Sequence, residues 1–369
     1  MPATADVFPP GEFLKDELEA RGWSQTELAE IMGRPVRLIN EIIAGKKGIT
    51  PETAVQLSHS LGTTPELWMN LESQYQLSKV RPVDDLVARR ARLYERFAVR
   101  EMIKRGWIEA SKSIDVLEQQ FRAFFGIDQL DAPIVFSHAA KKTHPEEQSN
   151  KLQLAWLFRA RALARALKVP RYSPDSLRAL MPRLSALLAA PEEARQVPKL
   201  LAECGVRFVV VEPIPGTKLD GACFWLEDGP PVIAMSLRLD RIDNFWFVVR
   251  HELEHVLNGD GRERGFILEL DLEGSDPASE EERLANAAAQ RFCVDQAELS
   301  HFIARVNPFF SEERVLGFAQ RLKIHPGLVV GQLQRHLKRY DFLRKHQVKV
   351  RAMVSAAALT DGWGVVHAV

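Results

Sequence analysis

The sequence predicts an α+β protein that is mostly α-helical, on three observations. Short apolar periods with clear capping residues run through residues 11–205. Between residues 206 and 237 they give way to three apolar, partly β-branched runs separated by turn residues. Helical periods then return and continue through residues 311–369. Apolar residues recurring near 3.6 mark an amphipathic helix, and short apolar runs bounded by Gly, Pro, Asn or Asp mark strands.

At about 100–200 residues per domain, 369 residues suggest two or three domains. Four regions are expected: an all-α region over 1–80; an arginine-rich helical linker region over 81–150, ending in a polar loop from His138 to Lys151; an α+β domain with a small sheet over 151–310; and a helical C-terminal extension over 311–369, basic between Arg335 and Arg351. Trp107 and Trp156 are expected in the core, and Arg89, Arg90, Arg92, Arg96 and Arg100 on a solvated helix face.

Hydrophobic residues make up 46% and charged residues 27%, with zero net charge. This excludes a generally polycationic nucleic-acid coat but permits a local basic face. Cys204, Cys223 and Cys293 form no C-x-x-C pair, so neither a disulfide framework nor a cysteine zinc site is indicated. They read as buried small hydrophobes of a protein in a reducing cytoplasm. Residues 1–10 lack the basic and apolar regions of a signal peptide. No run reaches the ~18 apolar residues of a membrane span, so no membrane partner is expected.

In the first region, Ser24-Gln25-Thr26-Glu27 is a capping box opening a helix that runs to Met32. Gly33-Arg34 is a turn, and Pro35 suits the first position of a second helix reaching about Ala44, stopped by Gly45. Leu28, Ile31, Leu38, Ile39 and Ile42 are expected to supply the contacts between the two. This is the rhythm of a helix-turn-helix, whose second helix enters the DNA major groove. Val36, Arg37, Asn40 and Glu41 take the reading positions, with Arg37 suited to guanine and Asn40 to adenine. Arg34, Lys46 and Lys47 complete a basic cluster suited to phosphates, as are the helix-start amides at Ser24 and Gln25. Residues 1–80 nevertheless hold seven Lys or Arg against eleven Asp or Glu, a net of minus four. A basic face opposed to acidic helices is compatible with operator binding and also with a protein-binding helical bundle. A single module reads few base pairs, so a homodimer on double-stranded operator DNA is expected.

Val206 to Val211, Gly221 to Leu226 and Val232 to Leu237 read as three strands of one sheet. A helix follows from about Ile242 to Leu257, stopped by Asn258-Gly259. It carries His251-Glu252-Leu253-Glu254-His255. Histidines four apart lie on one helix face, about 5–6 Å apart at Cβ, and can share one zinc ion per chain. Glu252 beside them is placed to accept a proton from an activated water. Leu253 points into the core, and Glu254 pairs with Arg250. The residues from Phe245 to Val249 make the rest of this helix apolar and able to anchor a metal. Zinc needs a third protein ligand. The long His-rich form of the motif fails, because positions 258 and 261 hold Asn and Gly. The helix beginning near Ser279 offers Glu280, Glu281 and Glu282, among which spacing does not choose.

Residues 9–77 closely resemble the HigA-like antitoxin branch of the XRE helix-turn-helix family. Pro10-Gly11-Glu12-Phe13-Leu14, Gly33-Arg34-Pro35, Ile39-Asn40-Glu41-Ile42-Ile43, Gly45-Lys46-Lys47 and Thr50-Pro51-Glu52-Thr53-Ala54 carry this likeness. Residues from about 200 to 340 resemble the ImmA/IrrE metallopeptidase family through Asp220-Gly221-Ala222, Asp240 to Trp246, the His251 pentad and Glu282-Arg283-Leu284-Ala285-Asn286. The resemblance implies a zincin-like metallopeptidase domain with His251, His255 and Glu282 as metal ligands and Glu252 as catalytic base. It also implies a transcriptional regulator in a toxin–antitoxin or stress setting that cleaves a protein substrate, such as a helix-turn-helix repressor or a toxin. The alternative is a non-catalytic repressor whose peptidase fold serves as a sensor or protein-binding module. His325 reads as the cap of a helix beginning at Pro326, and Phe318 to Leu333 as a packing module.

Overall fold

The computed structural model describes residues 7–79, 85–132, 134, 151–227, 229–260, 262, 266–270 and 280–367. The chain divides into two compact units, Met1–Ala88 and Arg89–Val369.

The first unit contains α1 (Pro10–Arg21), α2 (Gln25–Met32), α3 (Val36–Ile43), α4 (Pro51–Leu61) and α5 (Pro65–Lys79). Each boundary has a local cause. The capping box at Ser24 is present, with Ser24 Oγ accepting from the Glu27 amide at 3.2 Å and Glu27 Oε2 accepting from the Ser24 amide at 2.6 Å. Gly22, Gly33 and Gly62 close α1, α2 and α4 in the left-handed conformation that a side chain would disfavour. Pro35 is the N-cap of α3 rather than its first residue. Leu14, Leu18, Leu28, Ile39, Ile42, Leu57 and Trp68 fill the core. Ile31, expected in that core, is 52% exposed. It lies three residues after Leu28 and eight before Ile39, on the solvent-exposed flank of α2.

The second unit contains α6 (Leu86–Arg96), whose first residues precede the division, then α7 (Val99–Lys104), α8 (Ile114–Phe125), α9 (Lys151–Ala166), α10 (Pro174–Ala186) and α11 (Val197–Glu203). These lead to β1 (Arg207–Val211), β2 (Leu219–Trp225) and β3 (Pro231–Met235), then α12 (Ile242–Asn258), β4 (Phe266–Leu270) and α13 (Glu280–Cys293). The chain continues with α14 (Gln296–Val306), α15 (Glu312–Leu322), α16 (Pro326–Leu337), α17 (Arg351–Ala357) and β5 (Leu359–Asp361).

The five strands form one mixed sheet in the order β4-β2-β3-β1-β5. β1 runs parallel to β3 and β5, and β2 runs antiparallel to β3 and β4. Successive side chains of a strand face opposite sides. Val209, Val211, Ala222, Phe224, Val232 and Ala234 accordingly join one core with Phe97, Phe121, Phe125, Trp156 and Phe158. Phe208, Val210, Cys223, Ile233 and Met235 join the other with α12 and the C-terminal helices. Both faces are covered, which is why β1 to β3 are buried throughout and read as unbroken apolar runs.

Three expectations are corrected. The sheet has five strands, not three. The region 81–150 is no linker where it is described, because α6 to α8 bury Leu93, Phe97, Met102, Phe121 and Phe125 against the sheet. Its arginines hold this layer together: Arg89 pairs with Glu118 and Asp115, and Arg90 donates to the Lys112 carbonyl. Nor is 311–369 a separate extension. β5 extends the sheet, and its buried Asp361 accepts from Arg159 Nε at 3.1 Å and from Trp107 Nε1 at 2.8 Å. The polar loop expected from residue 138 lies outside the described residues as far as 150; Lys151 opens α9. Among the described residues, no helix is long and apolar enough to cross a membrane.

Candidate functional site

Three side chains converge between α12 and α13. His251 and His255 are fully buried, one helical turn apart, with ring centroids 4.7 Å apart. Their Nε2 atoms face each other at 3.0 Å. Glu282, in the first turn of α13, places Oε2 3.3 Å from His251 Nε2 and Oε1 3.6 Å from His255 Nε2. One ligand atom from each of the three lies within 4.8 Å of the others. Of Glu280, Glu281 and Glu282, it is Glu282 that the helix pairing brings here. Burial acts to raise its carboxyl pKa, but the hydrogen bond from His251 and the charges of both histidines outweigh this and lower it from 4.5.

Two imidazoles and a carboxylate are a zinc donor set. Ligands at about 2.0–2.1 Å in a tetrahedron stand roughly 3.3 Å apart. The observed Nε2 and carboxylate separations bracket that figure, so the residues fit the ion.

A fourth residue completes the arrangement. Gly259 ends α12 with φ 75°, and the chain turns back so that the Asp260 amide donates to the His255 carbonyl at 2.9 Å. Asp260 Oδ2 then lies 3.0 Å from His255 Nδ1. Trp225 Nε1 from β2 fixes the turn by donating to the Asp260 carbonyl at 2.8 Å. A carboxylate at Nδ1 keeps the proton there and leaves the Nε2 lone pair facing the metal position. From the sequence, Asn258-Gly259 reads only as a stop; the acid directly after the capping glycine is the signal for this contact.

Glu252 is fully buried. Its carboxylate lies against β2, where a Cβ on Gly221 would stand 2.6 Å from Oε1 and 2.7 Å from Val248 Cγ1. Leu253 is in the core as expected. Glu254 accepts from Arg250 at 2.6 Å, the pairing expected from the sequence. His325 caps α16, its Nδ1 accepting from the Gly327 amide at 3.1 Å.

The first unit presents a different surface. Val36, Arg37 and Asn40 are exposed on α3, while Ile39 and Ile42 on its other side are buried. Arg37 reaches 86% side-chain exposure and pairs with Glu41 at 2.7 Å. Such a solvated pair on one helix is weak and yields readily to another partner. Lys46 and Lys47 are exposed just beyond α3, and Gln25 is half-buried at the start of α2. Arg34 donates to Gln56 at 2.8 Å and to Glu52 at 2.6 Å on α4.

Residues 14–68 match the family model described as Helix-turn-helix. An uncharacterized HTH-type transcriptional regulator of Escherichia coli, YddM, is 31% identical over 21% of this chain and 82% of its own length. Antitoxin HigA-1 of Vibrio cholerae is 38% identical over 19% of this chain and 68% of its own. The antitoxin HigA of Pseudomonas aeruginosa, solved with the higBA promoter, is 27% identical over 21% of this chain and 99% of that one, with a TM-score of 0.20. Through this N-terminal segment, the chain belongs to the family of helix-turn-helix transcriptional regulators.

Proposed function

We propose that this chain is a DNA-binding regulator, antitoxin-like in its first unit, whose second unit is a zinc-dependent endopeptidase of the ImmA/IrrE type. The observation that carries the enzymatic reading is the convergence of His251, His255 and Glu282 beside the buried carboxylate of Glu252. The kinship of residues 14–68 with HTH-type regulators and the exposed α3 support operator binding.

His251 Nε2, His255 Nε2 and the Glu282 carboxylate would hold the ion, and Asp260 would keep His255 in the ligating tautomer. When bound, zinc supplies a Lewis acid that polarises a carbonyl and acidifies water toward a pKa of ~7. Glu252 takes the proton from the attacking water. It holds that proton on its carboxylate and delivers it to the leaving amide nitrogen. The walls of α12 and β2 exclude bulk water from Glu252, which strengthens each of these interactions. The protein substrate is a partner of the second unit, a helix-turn-helix repressor or a toxin being the reading the resemblance favours. Operator DNA is the partner of the first, bound by a homodimer.

The test is metal content of the purified full chain by mass spectrometry. About one zinc per chain in wild type, lost in His255→Ala and in Glu282→Ala, is expected from three-ligand coordination. Absence of metal from wild type after zinc is supplied would overturn the enzymatic reading and leave a regulator with a non-catalytic peptidase-like fold.

A further inference from the structure

Next to the metal-binding residues lies a cavity of about 60 Å³ that the mechanism does not use. By the same measure a water needs about 10–15 Å³, so the space suits a carboxylate with a methylene or two. Two acids line it, and both are neutralised. Asp220 is held by Arg238 at 3.1 and 2.9 Å, and Asp243 by Arg241 at 3.0 and 2.7 Å. The third lining cation, Arg335 of α16, is exposed and has no carboxylate partner among the described residues. Asn244, Gln332 and Tyr340 also line the cavity, and their side chains make no hydrogen bond among the described residues. One unneutralised guanidinium, two amides and a phenol thus share a small space in which they lack hydrogen-bonding protein partners among the described residues. Such a set recognises a single carboxylate, with Arg335 bidentate and the neutral groups as further donors.

The position identifies the carboxylate's source. The Phe247 ring stacks on that of His251 at 6.2 Å and also receives the Arg335 guanidinium at 5.2 Å. Phe247 precedes His251 by four residues, about 6 Å along the helix axis. An extended peptide advances about 3.3 Å per residue, with alternate side chains on one face. A side chain two residues from the bond being cleaved therefore reaches this distance. We infer that the cavity around Arg335 is a specificity subsite that receives an acidic side chain of the polypeptide substrate. Its occupant rests on the peptidase reading; carboxylate binding itself does not.

The test titrates the full chain with N-acetyl-glutamate N-methylamide and with its glutamine counterpart, followed by NMR, with zinc content measured on the same samples. The glutamate probe should bind wild type about tenfold tighter or more, since a hydrogen-bonded charge is lost in the amide. Arg335→Gln should level the two probes. Arg305→Gln, the same charge change on exposed α14, should leave the preference intact. Equal binding of the probes to wild type, or a preference that survives Arg335→Gln, would overturn the subsite. Acetate competing as well as the blocked glutamate would mark a free small-carboxylate site and overturn the peptide occupant. Zinc content reads the peptidase assignment separately, so the two can fail independently.

Discussion

Asp260 reaches His255 because Gly259 can adopt a left-handed conformation and Trp225 holds the resulting turn. Removing that carboxylate leaves all three ligands in place but frees the imidazole proton to move to Nε2. Asp260→Ala should therefore weaken zinc binding by about 10–100-fold, the usual cost of losing such a partner, with Asp260→Asn intermediate. Chelator competition measures this. Unchanged affinity in Asp260→Ala would show the contact to be incidental. At this scale the sequence was most legible where geometry is local. His251 and His255 follow from helical spacing alone. Glu282 does not, because three consecutive glutamates differ only in how α13 packs on α12. The pairing of Arg34 is illegible for the same reason: its partners, Glu52 and Gln56, lie about twenty residues away.

The packing of β2 on α12 depends on one missing side chain. Strand and helix approach so closely at Gly221 that a methyl group would strike both Glu252 and Val248. Gly221→Ala should cost about 1–3 kcal/mol of stability, as overpacking of a tight interior does. It should also displace the Glu252 carboxylate while leaving zinc content unchanged. In a Glu252→Ala background the same substitution should cost less, and additive costs in denaturant titrations would exclude the clash with Glu252. The element scale also shows where sequence patterns run out. β1 to β3 were legible as apolar runs between turns. β5, three residues long, is too short to show a period. Helices α6 to α8 read as a linker because their burial partners, Val209, Val211 and Phe224, lie about 85 to 130 residues further on.

Each unit has its own core, so the two should unfold separately. Phe125 is buried among Phe97, Phe121 and Phe158. Phe125→Ala should destabilise the second unit by about 3–5 kcal/mol. Calorimetry should then show that transition moving down while the first unit's transition stays in place. A joint shift of both would contradict the division at residues 88 and 89. The mostly helical α+β class was legible at this scale, since long capped periods and a cluster of apolar runs survive any detail of packing. The number of units was harder to read, because non-local burial, not composition, decides which helices share a core.

The placement of β5 also sets an order of events during synthesis. The first unit's core is complete once Trp68 and the rest of α5 have emerged. β1 must wait for its outer neighbour until residues 359–361, about 150 residues later. At 5–20 residues per second that is roughly 7–30 s. The first unit can thus be folded while the sheet behind Glu252 is still open at one edge, so the helix-turn-helix is complete before the five-stranded sheet is.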